Sequence, residues 1–229
     1  MALFDQSAKT YDDWCSTSLG SFVDETEKKI MLEVANPKPG EKVLDIGCGT
    51  GIYSLLLSKQ GAEVTGIDIS TAMLNKAKEK ANQYNRPITF LEGDIQHLPF
   101  ADDTFDLVIS NIVLEFVNYP HDVISEAMRV LRPGARLVIG MIGKHSEWAA
   151  MYEKQGKEKQ ESVFSGARFY RLQDIEKLYT DIPSEIRLGL YVTRDEFVTY
   201  EQAAVLEKQR SILQQEEGAG FIVAKWVKK

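Results

Sequence analysis

Apolar positions along the first two thirds of the chain follow a strand and helix rhythm. Short apolar, β-branched runs predict five buried strands: KVLDI, AEVTGIDI, ITFLEGD, FDLVISN and ARLVIGMI. GIYSLLLSKQ, STAMLNKAKEKANQY and HDVISEAMRVL place apolar residues at helical spacing and predict helices. Ser70 or Thr71 is the predicted N-cap of the second helix, and RPG is the predicted stop of the third. Strands that alternate with helices predict a parallel sheet that binds ligands at the carboxyl ends of its strands.

The two ends of the chain follow a different pattern. Phe4, Ala8, Tyr11, Trp14 and Cys15 recur at helical spacing, and a second helix is predicted over 23–34, before NPKPG. After residue 142 we predict a charged segment, a helix near 172–178, the strand EIRLGLYVT, a long helix around 200–215 and the strand GFIVAKWV. The last two strands are expected to form an edge pair, one of them antiparallel.

These elements together predict a single α/β domain over 1–229. The expected fold is a Rossmann-like three-layer sandwich whose seven-stranded, mostly parallel sheet has an antiparallel edge strand at the C-terminus. The sequence shows no internal repeat and no linker rich in proline, glycine or serine.

Composition narrows the class of function. The formal net charge of −7 argues against a nucleic-acid partner, because such partners are bound through basic patches. No apolar stretch reaches the ~18 residues of a membrane span, and MALFDQSAKTYDDW lacks the pattern of a signal peptide. Cys15 and Cys48 are far apart, so neither a disulfide nor a metal site is expected. We therefore expect a cytoplasmic protein that binds neither membrane nor metal.

The segment VLDIGCGTG, at 43–51, is the clearest candidate for ligand binding. A glycine loop between a strand and a helix offers free backbone N–H groups to a ligand. A dinucleotide-binding loop has glycines at its first, third and sixth positions. Here Gly47 and Gly49 occupy the first two of these positions, but Ile52 occupies the third. The spacing therefore argues against a dinucleotide.

Four segments in this order resemble the motifs of class I S-adenosylmethionine (SAM) methyltransferases, in particular the small-molecule methyltransferases of type 11. They are VLDIGCGTG, GIDIS, EGDIQHLPFADDTFDLVIS and RVLRPGARLVIG, and the resemblance covers 42–142. It implies that the cofactor is SAM and the product S-adenosylhomocysteine (SAH). It also implies cap helices at 1–36, a SAM-binding core at 42–142, a substrate cover at 143–185, and C-terminal strands and a helix at 186–229.

The resemblance assigns roles to individual residues. Asp68, 21 residues after Gly47, would accept hydrogen bonds from the ribose hydroxyls, and Asp94 one from the adenine amine. Asp45 would lie near the methionine end of the cofactor, and Asn111 near the sulfonium. The full predicted contact set is Tyr11, Asp45, Gly47, Cys48, Gly49, Asp68, Ile69, Met73, Asp94, Ile95, Asn111 and Ile112.

No motif dictates a catalytic residue, because methyl transfer is an in-line displacement that depends mainly on alignment. Tyr11, Glu115 and His145 are candidates by position, each with a simpler reading as a packing or surface residue. The polar segment 144–170 is a candidate mobile lid. The acceptor could present oxygen, nitrogen, sulfur or carbon.

The favoured function is methyl transfer to a small molecule by a monomer or homodimer. The alternatives are a non-catalytic SAM-binding regulator and a methyltransferase for protein or RNA. A nucleic-acid amino-methyltransferase would carry prolines after its fourth strand, where this chain has Ser110, Asn111, Ile112 and Val113. A dehydrogenase, the remaining option, would bind NAD and not SAM.

Overall fold

The computed structural model describes residues 4–5, 11–159 and 161–229, without the side chain of Tyr11. Seven strands form one sheet in this part of the chain, in the order β3-β2-β1-β4-β5-β7-β6. The strands are β1 Lys42–Ile46, β2 Glu63–Asp68, β3 Thr89–Glu92, β4 Phe105–Asn111, β5 Leu131–Ile142, β6 Glu185–Gly189 and β7 Phe221–Val227.

Strands β1 to β5 pair in parallel, and the C-terminal strand reverses direction. β7 runs antiparallel to both β5 and β6, so it lies between them and β6 forms the outer edge. This arrangement confirms the predicted mostly parallel sheet and the predicted edge pair. The order of strands also brings the carboxyl ends of β1, β2 and β4 side by side.

Helices cover both faces of the sheet. They are α1 Tyr11–Cys15, α2 Ser18–Ala35, α3 Ile52–Lys59, α4 Thr71–Gln83, α5 Pro120–Val130, α6 Glu147–Glu158, α7 Leu172–Ile175 and α8 Tyr200–Ser211. Successive strand residues alternate between two cores: Leu44 packs with α5 and α7, whereas Val43 packs with α2, α3 and α8. This two-sided burial explains why the strands are nearly continuous apolar runs.

Two helices begin with the caps expected of their sequences. Ser70 Oγ accepts a hydrogen bond from the N–H of Met73 at the start of α4, which confirms one of the two predicted caps. Thr17 caps α2 in the same way through the N–H of Gly20, so this helix begins five residues earlier than the predicted 23–34.

The structure corrects two sequence-based boundaries and adds a helix that was not predicted. β5 begins at Leu131, directly after α5, and the register shift opposite Phe105 and Leu107 places RPG in an irregular stretch within β5 instead of a separate turn. The segment EIRLGLYVT forms a strand as far as Gly189. Helix α6 occupies part of the segment predicted as a polar lid, and its Trp148 and Ala149 are buried.

Within the described residues, no helix is long and apolar enough to cross a membrane.

Candidate functional site

A cavity of about 290 Å³ lies at the carboxyl ends of β1, β2 and β4. Its wall includes 11 residues of the predicted contact set: Asp45, Gly47, Cys48, Gly49, Asp68, Ile69, Met73, Asp94, Ile95, Asn111 and Ile112. Residues from distant parts of the sequence therefore meet where a parallel sheet is expected to bind its ligand.

The glycine loop after β1 is held in a conformation that favours glycine. Gly47, Gly49 and Gly51 have φ values of +68°, +52° and +78°. A Cβ at Gly47 would lie 2.4 Å from Cγ2 of Val113, whereas a Cβ at Gly49 would meet no described atom within 4 Å. Gly47 thus permits close packing against the segment after β4, and Gly49 borders open space in the cavity.

Asp68 at the end of β2 fixes the geometry of this loop. Its Oδ2 accepts the N–H of Gly49 at 2.8 Å, and its Oδ1 accepts the N–H of Ser70 at 2.8 Å. Burial raises the pKa of this carboxyl, against the effect of the two N–H donors. Each oxygen keeps a second lone pair, so Asp68 can accept further hydrogen bonds from a ligand.

Asp45 is buried at the floor of the cavity. Its Oδ2 accepts the hydroxyl of Ser54 on α3 at 2.6 Å. Burial raises the pKa of Asp45 to about 7, and the neighbouring charge of Asp68 adds to the shift. Asp45 therefore makes a hydrogen bond that orders the turn and also lines the cavity, while its contact with the methionine end of the cofactor stays a prediction.

The loop after β3 forms the more open wall. Asp94 Oδ1 accepts the N–H of Gln96 at 2.9 Å in an Asx turn, and this donor lowers the pKa of Asp94. Ile69 is 64% exposed although it is apolar, and Ile95 is buried opposite it in the lining. Two apolar side chains beside a carboxylate form a surface suited to a flat heterocycle.

The segment after β4 carries local strain and an unsatisfied polar atom. Ile112 has a φ of +52°, which is unfavourable for a β-branched residue and typical of functional sites. Asn111 Oδ1 is buried and has no hydrogen-bond partner among the described residues. A buried acceptor without a partner beside a cavity is one that the described residues leave unsatisfied.

The three catalytic candidates lie in different places. Glu115 is buried behind the wall, where its Oε1 accepts the N–H of Ile142 at 2.6 Å. His145 lies on a separate surface depression, 3.9 Å from Glu216, and none of the described cavity residues is a histidine. Tyr11 belongs to the backbone of α1, but its side chain lies outside the described residues.

Two acidic residues of α2 also line the cavity and were absent from the sequence-based set. They are Asp24 and Glu27. Gly20, Val23, Met31 and Val34 form the buried stripe of this helix, and Glu27 falls on it, four residues from both Val23 and Met31. An acid at a core-facing position of an amphipathic helix is the sequence signal that identifies Glu27.

Comparison with known proteins agrees with this geometry. A family model described as a methyltransferase domain matches residues 44–139. A demethylmenaquinone methyltransferase from Beutenbergia cavernae is 37% identical over 138 residues, which are 60% of this chain and 55% of that protein. An uncharacterized protein, MJ1123, from Methanocaldococcus jannaschii is 30% identical over 185 residues, 80% of each chain.

Among solved structures, a SAM-dependent methyltransferase from Thermotoga maritima, described as a possible histamine N-methyltransferase, superimposes with a TM-score of 0.75. It is 20% identical, with 99% of this chain and 98% of that chain covered, so it supports the fold alone.

This chain belongs to the class I SAM-dependent methyltransferases. Its match spans little more than half the length of the demethylmenaquinone methyltransferases that it resembles. The cofactor of this family is SAM.

The residues of the cavity fit such a cofactor. Its wall contains the carboxyl groups of Asp24, Glu27, Asp45, Asp68 and Asp94, and none of the described lining residues is a lysine, arginine or histidine. An acidic enclosure favours a ligand with positive charge on sulfur and nitrogen. The open space at Gly49 and the unsatisfied Asn111 Oδ1 further suit a polar ligand.

Proposed function

We propose that this protein transfers the methyl group of SAM to a small acceptor that carries no negative charge. The observation that supports the proposal best is the single cavity that unites the glycine loop, Asp68 and Asn111 with the acids of α2. Asp45, Asp68 and Asp94 would hold the cofactor, and SAM would supply the activated methyl group. The protein contributes alignment of the acceptor and exclusion of water.

The charge of the cavity argues against anionic acceptors. A phosphate or carboxylate is normally bound by arginine, lysine or several backbone N–H groups. Lys28, the cation closest to Glu27 along α2, forms a salt bridge with Asp24 and is not in the described lining. A diphosphate acceptor would therefore meet no cationic side chain among the described lining residues of the cavity.

Aromatic side chains next to the cavity suggest a flat acceptor. Phe4 and Phe116 both line it and pack edge to face, with ring centroids 4.8 Å apart. Phe116 continues towards Phe164, which stacks on Tyr152 of α6 at 4.2 Å. These rings would cover an aromatic acceptor by offset or edge contacts. We propose a hydroxylated ring of the quinol type, in line with the names of the menaquinone-pathway relatives.

An amine is the second candidate acceptor; it could bind as an ammonium group and would have to lose a proton before its nitrogen accepts the methyl group. The acids of α2, Asp24 and Glu27, would stabilise an ammonium group, and the adjacent aromatic rings would support it through cation–π contacts. The Thermotoga maritima protein is described as a possible histamine N-methyltransferase, and histamine is an amine.

Binding and turnover test the proposal in that order. Calorimetry with SAH is expected to give a Kd in the micromolar range or tighter, and no binding of SAH together with binding of NAD would refute the assignment. Labelled SAM is then supplied with a reduced short-chain demethylmenaquinone, an arylalkyl amine and a prenyl diphosphate. We expect label in the quinol, and label in the diphosphate would contradict the proposed charge selection.

The same experiment separates the alternative functions. Tight SAH binding without transfer to any small acceptor would favour a SAM-binding regulator. Transfer to a protein extract or to RNA in place of the small acceptors would indicate a macromolecular substrate. We propose residues 143–185 as the acceptor cover, since α6 brings Tyr152 to the aromatic cluster.

A further inference from the structure

Glu27 occupies a position at which an acid costs stability. On α2 it continues the buried stripe of Val23 and Met31, which packs over the sheet, yet its carboxyl opens into the cavity. A carboxylate on such a stripe lowers the stability of the fold, because burial removes the charge from water. The contacts that Glu27 makes with the described residues are few and do not offset this cost.

The contacts of Glu27 leave its carboxyl weakly paired. Its Oε2 is 3.5 Å from Nδ2 of Asn111, a distance at the limit of a hydrogen bond. The ammonium of Lys28 is engaged by Asp24. By comparison, the carboxyl of Asp68 in the same cavity has two N–H donors at 2.8 Å. Among the described residues, Glu27 therefore has none of the strong partners that normally hold a buried carboxylate in its ionised form.

The groups that surround Glu27 favour its protonated form. Burial raises the pKa of Glu27 to about 8. The hydrogen bond from Asn111 opposes this shift, the charges of Asp24 and Glu115 add to it, and Lys28 lowers the pKa again. Tyr152 of α6 faces Glu27 from the other side and is neutral, because burial raises its own pKa.

We propose that Glu27 is the proton-accepting group of the methyl transfer and that it becomes ionised when a sulfonium charge occupies the cavity. The inference rests on the proposed function. In the empty cavity Glu27 retains a proton, and a positive charge at the wall that Glu27 shares with Asn111 favours release of that proton to solvent. The carboxylate that results is then positioned as a base.

The proton balance of the step is simple. The acceptor's nucleophilic atom forms a bond to the methyl carbon as the carbon–sulfur bond breaks, and that electron pair stays on sulfur. The proton that the acceptor loses passes to Glu27, and the products are the methylated acceptor and SAH. Loss of the positive charge on sulfur then restores the surroundings in which Glu27 holds its proton.

A binding experiment tests the coupling without turnover. Calorimetry at pH 7.5 in two buffers of different ionisation enthalpy measures the protons released by SAM and by SAH. We expect SAM to release roughly 0.8 proton more than SAH, the protonated fraction at pH 7.5 of a group with a pKa of about 8. Glu27→Gln is expected to abolish this difference. Glu33→Gln, an exposed change on the same helix, should preserve it.

Two outcomes would overturn the assignment. Equal proton release by SAM and SAH would show that Glu27 does not sense the sulfonium, and a difference that survives in Glu27→Gln would assign the proton to another acid such as Asp45. Failure of SAH to bind would instead refute the proposed function, so the two failures are distinguishable.

Measurements of kcat and of the Kd of SAH distinguish a catalytic base from a residue that only binds the cofactor. With the acceptor that the labelling experiment identifies, Glu27→Gln is expected to lower kcat by at least about 100-fold and to remove the acidic limb of the pH–rate profile. The Kd of SAH should change less than about twofold. If Glu27 instead held the ammonium of the cofactor, which SAH retains, SAH affinity would fall with kcat, and this result would contradict the proposal.

Discussion

At the scale of single residues, Asp68 has two tasks in the site. It orders the glycine loop through the N–H of Gly49 and the start of α4 through the N–H of Ser70, and it lines the cavity. We predict that Asp68→Ala weakens SAH binding by about 1–3 kcal/mol, because a charge-assisted acceptor is lost. Asp68→Asn, which keeps one acceptor oxygen, should lose less. Calorimetry with SAH measures both, and unchanged affinity in Asp68→Ala would show that Asp68 does not hold the cofactor.

Gly47 offers a second residue-scale prediction. Its positive φ and the 2.4 Å approach of Val113 Cγ2 mean that a methyl group would both strain the loop and displace the segment after β4. Gly47→Ala should therefore cost more stability than Gly40→Ala, where φ is also positive but the space is open. Urea unfolding of the two variants compares them. Equal losses would mean that the close contact at Gly47 contributes nothing.

At the scale of elements, Glu207 attaches α8 to the segment after β6. Its carboxyl is buried and accepts the N–H groups of Leu190, Tyr191 and Val192 at 2.6 to 3.1 Å. We predict that Glu207→Ala lowers the free energy of unfolding by about 3 kcal/mol or more, since buried donors lose their partner. Glu201→Ala, an exposed change on the same helix, is the control for urea unfolding. Similar midpoints for both variants would contradict the role of Glu207.

The sequence could predict the elements whose formation depends on residues that are close together along the chain. The parallel strands contain apolar runs that stand out in the sequence, and the glycine loop and the Ser70 cap depend on neighbouring residues alone. The start of β5 was misplaced because it depends on pairing with Phe105 of a distant strand. Helix α6 was missed because its burial is confined to Trp148 and Ala149, while charged residues dominate its remainder.

The candidate site likewise contains residues that the sequence could predict and residues that it could not. The cofactor wall follows from motifs at the ends of strands, so most of it was predicted and the structure gathers those residues in one cavity. Glu27 was overlooked because its apolar neighbours at helical spacing predict a helix that packs on the core, and the cavity that Glu27 lines is formed with residues of distant elements, such as Asn111 at the end of β4. Residues that face an acceptor are assembled by tertiary contacts and carry no motif of their own.

At the scale of the whole molecule, buried acids should make stability depend on pH. Burial raises the pKa of Asp45 to about 7 and those of Glu27 and Glu115 to about 8. The folded protein therefore keeps protons that the unfolded chain releases above a pH of about 4.5. Since the native state binds more protons, the free energy of unfolding of the cofactor-free protein must fall as pH rises from about 5 to about 8.

Glu115 is the clearest test of this dependence, because it is buried apart from the cavity wall and only its Oε1 is hydrogen-bonded among the described residues. Glu115→Gln keeps that acceptor for Ile142 and removes the titration. We predict that its free energy of unfolding falls less steeply with pH than that of the unsubstituted protein, by up to about 1.4 kcal/mol per pH unit. Urea unfolding between pH 5.5 and 7.5 measures the two slopes, with Glu33→Gln as the exposed control. Parallel slopes would mean that Glu115 titrates in the folded protein as it does in the unfolded chain.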